Sequence, residues 1–151
     1  MANALYPKFK EALLNQAAGT NAINLSSDTN IKVALVNITG STNAYTYSSS
    51  HQYFSSVSTN SAAVVSTNYA TLTGKTVNSP VSGVFDADDV TFTGVSGTNV
   101  IGALVIWKDT GTAASSPLIA FLDSGTGLSI TPNGGSVTVS WDSGANRIFA
   151  L

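Results

Sequence analysis

The sequence predicts a mainly β protein, an antiparallel β-sandwich, jelly roll or partly closed barrel, with one short N-terminal α-helix. Ser and Thr make up about a quarter of the 151 residues and 13 residues are Gly, a mixture typical of strands joined by tight turns. Short apolar or alternating runs recur about every ten residues, with turn signals between them. Helical periodicity occurs once, near the start. The length fits one domain, residues 1–151, with a single sizeable core.

The helix is predicted over about residues 3–17. An apolar stripe recurs at every fourth position and consists of Leu5, Phe9, Leu13 and Ala17. Asn3 can cap the helix, Pro7 fits its first turn, and Gly19 can end it. Two interpretations of the stripe stay open. It packs on the domain's own sheet, which we favour, or it docks on a neighbouring subunit.

Strands are predicted from about residue 31 to residue 151. Ile31–Val36 has the length and branching of a buried strand, and we expect it to be central. From Thr39 to Asn60 the chain is rich in Ser, Thr, Asn and Tyr, which indicates a long surface loop or weak edge structure. Shorter strand candidates follow, namely Ala62–Ser66, Ala70–Leu72 running to Lys75–Val77, Val81–Phe85 and Val90–Val95.

The C-terminal third contains a predicted hairpin. Val100–Trp107 and Pro117–Leu122 flank a polar loop over Asp109–Ser116. The Asn-Gly step in Pro132–Gly135 favours a tight turn, so the following strand should pair back on what precedes it. The last strand candidates are Leu128–Ile130, Val137–Trp141 and Arg147–Leu151.

Charge and composition exclude several classes of function. The net charge is −2, only 9% of the residues are charged, and the basic residues are scattered, so we expect no nucleic-acid partner. A surface with little net charge suits packing against other subunits. Without Cys there is no disulfide, zinc-thiolate site or thiol nucleophile. No run approaches the ~20 apolar residues that span a bilayer, so we expect a product made in the cytoplasm, without a membrane partner.

His51 is the one histidine, so a Ser-His-Asp hydrolase would have to be built around it. Many Ser residues lie near it, but in a Ser-rich chain this proximity carries little information. No Gly-x-Ser-x-Gly sequence occurs. We therefore expect His51 to be a loop residue with a satisfied hydrogen bond, and we expect the protein not to be an enzyme.

The acidic cluster, defined as Asp86, Asp88 and Asp89, could ligate Ca²⁺ because this ion prefers several oxygen ligands. Its spacing departs from the calcium-loop pattern, so we favour a strand connection in which the carboxylates bond backbone N–H groups. The Gly-bearing segments lack the Lys of a phosphate-binding loop and are predicted to be turns. The sequence thus predicts no metal and no cofactor.

A set of segments over nearly the whole chain resembles a family of small virion proteins of tailed bacteriophages, many of them known only as structural components. The segments are Met1–Leu14, Ile31–Val36, Tyr45–Tyr47, Ser50–Phe54, Gly83–Phe92, Lys108–Ala113, Pro117–Phe121 and Thr131–Gly135. The resemblance implies a component of the phage particle and brings no catalytic residues with it.

Within that class we expect a capsid decoration or cement protein that contacts other virion proteins, above all the major capsid protein, and that can form a homo-oligomer. A tail or neck component is the alternative, and a receptor- or glycan-binding module that uses the loop Tyr45–Phe54 is a third. The expected location is the virion, on the capsid in preference to the tail. The candidate interface residues are Leu5, Phe9, Leu13, Tyr45, Tyr47 and Tyr53.

Overall fold

The computed structural model describes residues 3–15, 19, 22–40, 43–59, 69–78 and 82–151, and these residues form mainly strands. The predicted mainly β class is confirmed, while the choice among sandwich, jelly roll and barrel stays a prediction. The strands are β1 (Ala4–Leu5), β2 (Ile31–Val36), β3 (Tyr69–Thr71), β4 (Val84–Phe85), β5 (Val90–Phe92), β6 (Ala103–Lys108), β7 (Leu118–Leu122), β8 (Val137–Val139) and β9 (Phe149–Ala150). The helices are α1 (Pro7–Leu14) and the single turn α2 (Ser55–Ser58), with a 3-10 turn at Ala113–Ser115.

A five-stranded antiparallel sheet forms the centre, in the order β1-β7-β6-β2-β3. β2 lies inside this sheet and pairs along its whole length with β6, so the predicted central strand is confirmed. The predicted hairpin is confirmed as well, because β6 and β7 pair directly across the polar loop. Nearly every residue of β2, β6 and β7 is buried, which explains their continuous apolar runs.

The two faces of this sheet are covered by different parts of the chain. Residues paired across antiparallel strands share a face, so Ala34, Val105 and Phe121 point to one side. We call this side the loop face, because the segment 43–58 lies on it. There the Phe54 ring stacks on Trp107, with ring centroids 3.9 Å apart and planes within 4°. Among the described residues, this loop layer and not a second sheet covers that side.

The opposite face, the ribbon face, is covered by two small antiparallel ribbons, β5 with β8 and β4 with β9. Leu104 and Leu122, which pair across β6 and β7, line a groove together with Val137 and Val139 of β8. Phe149 of β9 lies between the rings of Phe9 and Phe85, with centroids 6.1 and 5.2 Å away. The core therefore continues from the sheet into the ribbons.

The helix is shorter than predicted. α1 begins at Pro7 and ends at Leu14, whereas residues 3–17 were expected, and residues 16–18 lie outside those described. The expected Asn3 cap is wrong, since Asn3 instead exchanges two hydrogen bonds with the backbone of Ser124, at 2.9 and 3.1 Å. Tyr6 takes the extended conformation that a residue before proline prefers, and this places the helix start at Pro7.

The predicted pairing of Val137–Trp141 is also wrong. β8 pairs with β5, far back in the chain, and the Asn-Gly segment before it does not close a hairpin. Gly134 and Gly135 instead exchange backbone hydrogen bonds with Val95, at 2.7 and 2.9 Å. Ile130, from the strand expected as partner, forms an isolated bridge with Ile101. The Asn-Gly step predicts a local reversal of the backbone, but it does not predict which strand pairs with the strand that follows.

The described residues 39–40 and 43–59 of the polar segment contain no strand, and some of them are buried anchors. Tyr45, Phe54 and Val57 are core residues, although the composition of the segment indicates a surface location. Both ends are held to the sheet by backbone bonds, from Tyr45 N–H to Asn37 O and from Phe54 N–H to Ser116 O, at 2.9 and 2.8 Å. The predicted strand at 62–66 lies outside the described residues.

Candidate functional site

The most organised group of polar side chains lies on the loop face. We call it the tyrosine cluster, formed by Tyr6, Tyr45, Tyr47, His51 and Phe121. Tyr47 packs between the rings of Tyr6 and Phe121, with centroids 5.2 and 5.3 Å away. The cluster joins the start of α1, the loop layer and β7, so residues far apart in sequence meet there.

A chain of hydrogen bonds runs through this cluster. The hydroxyls of Tyr6 and Tyr45 are 2.8 Å apart, and the Tyr45 hydroxyl is 2.9 Å from Nδ1 of His51. Tyr6 and Tyr45 are 0% and 1% exposed, whereas His51 is half-buried. The hydrogen bonds thus connect a buried phenol in the core to the partly exposed imidazole of His51.

Burial disfavours every charged form in this chain. It raises the pKa of the Tyr6 phenol well above its ordinary value, and it raises the pKa of Tyr45 to about 12. Burial also lowers the pKa of His51 below its ordinary value, because a protonated imidazole is poorly solvated there. At neutral pH the hydrogen-bonded groups of Tyr6, Tyr45 and His51 are therefore uncharged.

This arrangement supports the prediction that His51 is a loop residue with a satisfied hydrogen bond. In the described part of the chain, the His51 ring bonds to Tyr45 and to no carboxylate or serine hydroxyl. The nearby Ser48 and Ser50 hydroxyls bond each other at 2.9 Å. A serine hydrolase needs its histidine between a nucleophile and a carboxylate, so this geometry does not assemble that machinery.

The candidate interface residues divide by exposure. Phe9 and Tyr45 are each 1% exposed and belong to the core of their own domain, so as placed they offer no surface to a neighbour. For Phe9 the interpretation that the stripe packs internally is the one the structure favours. The four remaining candidates, Leu5, Leu13, Tyr47 and Tyr53, are half-buried.

Among the described residues, the most exposed large apolar side chain is one that the helical stripe did not include. Leu14, the last residue of α1, is 84% exposed. It lies off the buried stripe, and on the helical period Leu14 and Phe9 occupy different faces. The sequence does contain a signal for the exposure of Leu14, because this large apolar residue lies in the predicted helix but outside its apolar stripe.

The acidic cluster is divided among separate partners. Asp86 accepts a hydrogen bond from the backbone of Ala87 at 3.0 Å and faces Arg147, while Asp88 accepts from the Thr73 hydroxyl at 3.0 Å. Asp89 accepts from the backbone N–H of Trp141 at 3.0 Å. The bonds of Asp86 and Asp89 match the predicted strand connection, in which carboxylates accept from backbone N–H groups, whereas Asp88 accepts from a side-chain hydroxyl. Among the described residues, no group of three His, Asp or Glu side chains is arranged to hold a metal ion.

Charged side chains are mostly neutralised within the molecule. Among the described residues, four ion pairs connect Lys8 with Glu11, Lys32 with Asp109, Lys108 with Asp28, and Arg147 with Asp86, at 2.8, 2.6, 2.9 and 3.6 Å. The hydrogen bond from Lys32 lowers the pKa of the Asp109 carboxyl. Each pair adds no net charge, and only 9% of the residues are charged, so most polar groups of the protein are uncharged hydroxyls and amides.

Two surface concavities accompany these features. One is a depression of about 340 Å³ beside the tyrosine cluster, lined by Tyr45, Tyr47, Ser48 and His51 among others. The larger is the groove on the ribbon face, of about 540 Å³, with Trp141 among its lining residues. The Trp141 indole N–H donates to the backbone oxygen of Asp88 at 3.0 Å, which holds the ring in place.

A scan of protein-family models gives no match, and no curated protein is significantly similar in sequence to this chain. Within the described ranges, no helix is long and apolar enough to cross a membrane.

Proposed function

We propose that this protein is a non-enzymatic structural component of a bacteriophage virion, a capsid decoration or cement protein that stabilises the shell through protein-protein contacts. The observation that carries the proposal is the internal pairing of the charged side chains. Four of the six basic residues are bound to carboxylates of the same chain, which leaves a weakly charged exterior. Such a surface associates by close contact and not by long-range attraction.

The sequence resemblance to phage virion proteins supports the same class. Decoration of a shell repeats one contact many times, so each contact can be modest in area and affinity. The major capsid protein is the proposed partner, and contacts with further copies of this chain are compatible with that arrangement.

The proposed contact includes the exposed end of α1. Leu14 presents an apolar side chain to the exterior, and half-buried Leu13 lies next to it. Burying an exposed leucine at an interface contributes on the order of 2 kcal/mol. The buried residue Phe9 supports this surface from inside, because it packs the helix against the ribbons.

The experiment is incorporation of the protein into phage particles. Purified particles from cells that produce the tagged chain are analysed by mass spectrometry and cryo-EM, and we expect a stoichiometric component on the capsid. Leu14→Asp should reduce incorporation, whereas Asn15→Asp, which adds the same charge at the adjacent exposed residue, should not. Absence of the protein from purified particles would overturn the proposal, and density on the tail or neck would favour the alternative location.

Attachment built in this way should also resist salt. Contacts of apolar and uncharged polar groups are screened little, whereas exposed ion pairs weaken once the Debye length falls to about 3 Å near 1 M salt. Release of the subunit by 1 M NaCl, with its own fold intact, would contradict this account of the contact.

A glycan- or receptor-binding module is the second candidate, favoured by the depression beside the tyrosine cluster. Aromatic rings and hydroxyls of the kind that line it suit adaptable polar contacts. Binding of the isolated protein to a glycan array, lost in Tyr47→Ala, would support this candidate over shell reinforcement.

A further inference from the structure

We propose that the Tyr6-Tyr45-His51 hydrogen-bond chain is a pH-sensitive latch that holds the turn 48–51 on the sheet. It closes only on a neutral imidazole that carries its proton on Nε2, and acid opens it. This inference is independent of the proposed virion role.

The direction of the chain follows from counting donors. A tyrosine hydroxyl donates one hydrogen and accepts others, while neutral Nδ1 of the required tautomer only accepts. With Tyr6 donating to Tyr45 and Tyr45 donating to His51, both buried hydroxyl hydrogens have an acceptor. In this direction every buried polar group of the chain is satisfied.

Protonation of His51 reverses the donor-to-acceptor direction of the two hydrogen bonds. Nδ1 then carries a hydrogen and must donate to Tyr45, which must in turn donate to Tyr6. The hydrogen of Tyr6 is left over, since among the described residues this hydroxyl has no partner other than Tyr45, and Tyr6 is 0% exposed. A buried donor without an acceptor is costly, so the charged imidazole is expelled.

The surroundings supply no compensating charge. The titratable groups beside His51 are Tyr45 and Tyr47, and Tyr6 lies behind them. The depression beside His51 has no charged lining residue in the part of the protein that the structure describes. β7, which packs against the cluster, reads Leu-Ile-Ala-Phe-Leu and has no titratable side chain. On α1, Lys8 and Glu11 bond each other at 2.8 Å and line a separate cavity.

The part of the loop that opens is bounded by its backbone anchors. Tyr45 N–H bonds Asn37 O, and Leu118 N–H bonds Gln52 O, at 2.9 and 2.8 Å. Between these points the described backbone bond is from His51 N–H to Ser48 O, at 3.1 Å. Between these anchors, side chains attach the segment 46–51 to the sheet: His51 through its hydrogen bond to Tyr45, and Tyr47 through its packing between the rings of Tyr6 and Phe121. Acid breaks the first attachment and leaves the second, so the part that opens is the turn 48–51.

The test uses NMR on the full chain, where the single histidine gives one set of ring signals. At pH 7.5 we expect the Nε2–H tautomer. Tyr45→Phe should abolish this preference and raise the pKa of His51 towards its ordinary value. Tyr6→Phe is the matched control. In this variant Tyr45 still donates to Nδ1 of neutral His51, and after protonation of His51 the Tyr45 hydrogen still has no other acceptor. The pKa of His51 should therefore stay low.

Two results would overturn the latch. One is the Nδ1–H tautomer in the unmodified protein, a measurement that needs no variant to fold. The other is the same His51 pKa in Tyr45→Phe as in the unmodified protein, which would assign the lowered value to burial alone. Hydrogen exchange supplies the structural readout. Protection of the His51 amide should fall in acid while that of the Phe54 amide is kept, and equal loss at both would mean general unfolding.

Discussion

Replacing Phe9 with Ala should destabilise the protein strongly, because this ring joins the helix to the ribbon-face core. Phe9 is 1% exposed and meets Phe149 edge to face at 6.1 Å between centroids. Truncating a buried Phe to Ala costs about 3–5 kcal/mol, and this range includes the lost aromatic pair. For a chain of this size each kcal/mol lowers the melting temperature by roughly 2–4 °C, so a fall of about 6–20 °C is expected.

The measurement is thermal and urea unfolding of the isolated protein, followed by circular dichroism. Leu14→Ala is the matched control on the same helix, and it should change stability by less than about 0.5 kcal/mol because the side chain is 84% exposed. If Phe9→Ala melts like Leu14→Ala yet fails to enter particles, the reasoning is refuted, and the stripe would be an interface and not part of the core.

Three further predictions concern pH, backbone strain and metal ions. Stability should be fully present below pH 10 and fall as the pH rises towards 12, since the pKa of Tyr45 is raised to about 12 in the folded state. Between pH 8 and 11 the loss amounts to roughly 1 kcal/mol, and urea unfolding over this range should show a smaller loss in Tyr45→Phe. Gly74→Ala should cost more stability than Gly94→Ala. Both residues have positive φ, but only a Cβ at position 74 would collide with the Asp88 carboxylate. Equal losses in thermal melts would contradict this. EDTA should leave the melting temperature unchanged, and a clear drop would mean that the acidic cluster binds an ion.

The strands that could be predicted are those whose burial leaves a local pattern. Ile31–Val36 is apolar almost throughout because both faces of its sheet are covered, and this pattern is visible without any partner. Pairing was harder to predict, since Val137–Val139 joins Val90–Phe92 through contacts that no local signal records. The Asn-Gly turn before it predicts a reversal whichever strand is the partner.

The candidate site was only partly predictable for a related reason. A hydrogen-bonded His51 could be expected from its solitary occurrence, but its partner Tyr45 lies in a segment whose polar composition indicates exposure. Tyr carries a large apolar ring with one polar end, so it can be buried wherever its hydroxyl finds an acceptor. The acceptor of the Tyr45 hydroxyl is His51, and Tyr6, which follows β1 at the opposite edge of the sheet from β3, donates to Tyr45 in turn.

The fluorescence of the two tryptophans reports separately on the loop layer and on the groove of the ribbon face. Trp107, 2% exposed and stacked on Phe54, should emit at short wavelength and be shielded from iodide, whereas half-buried Trp141 in the groove should be quenched first. Lifting the loop layer would redden the emission of Trp107, and a molecule entering the groove would protect Trp141. A single fluorescence titration can therefore tell loosening of the loop layer from occupation of the groove, without any added label.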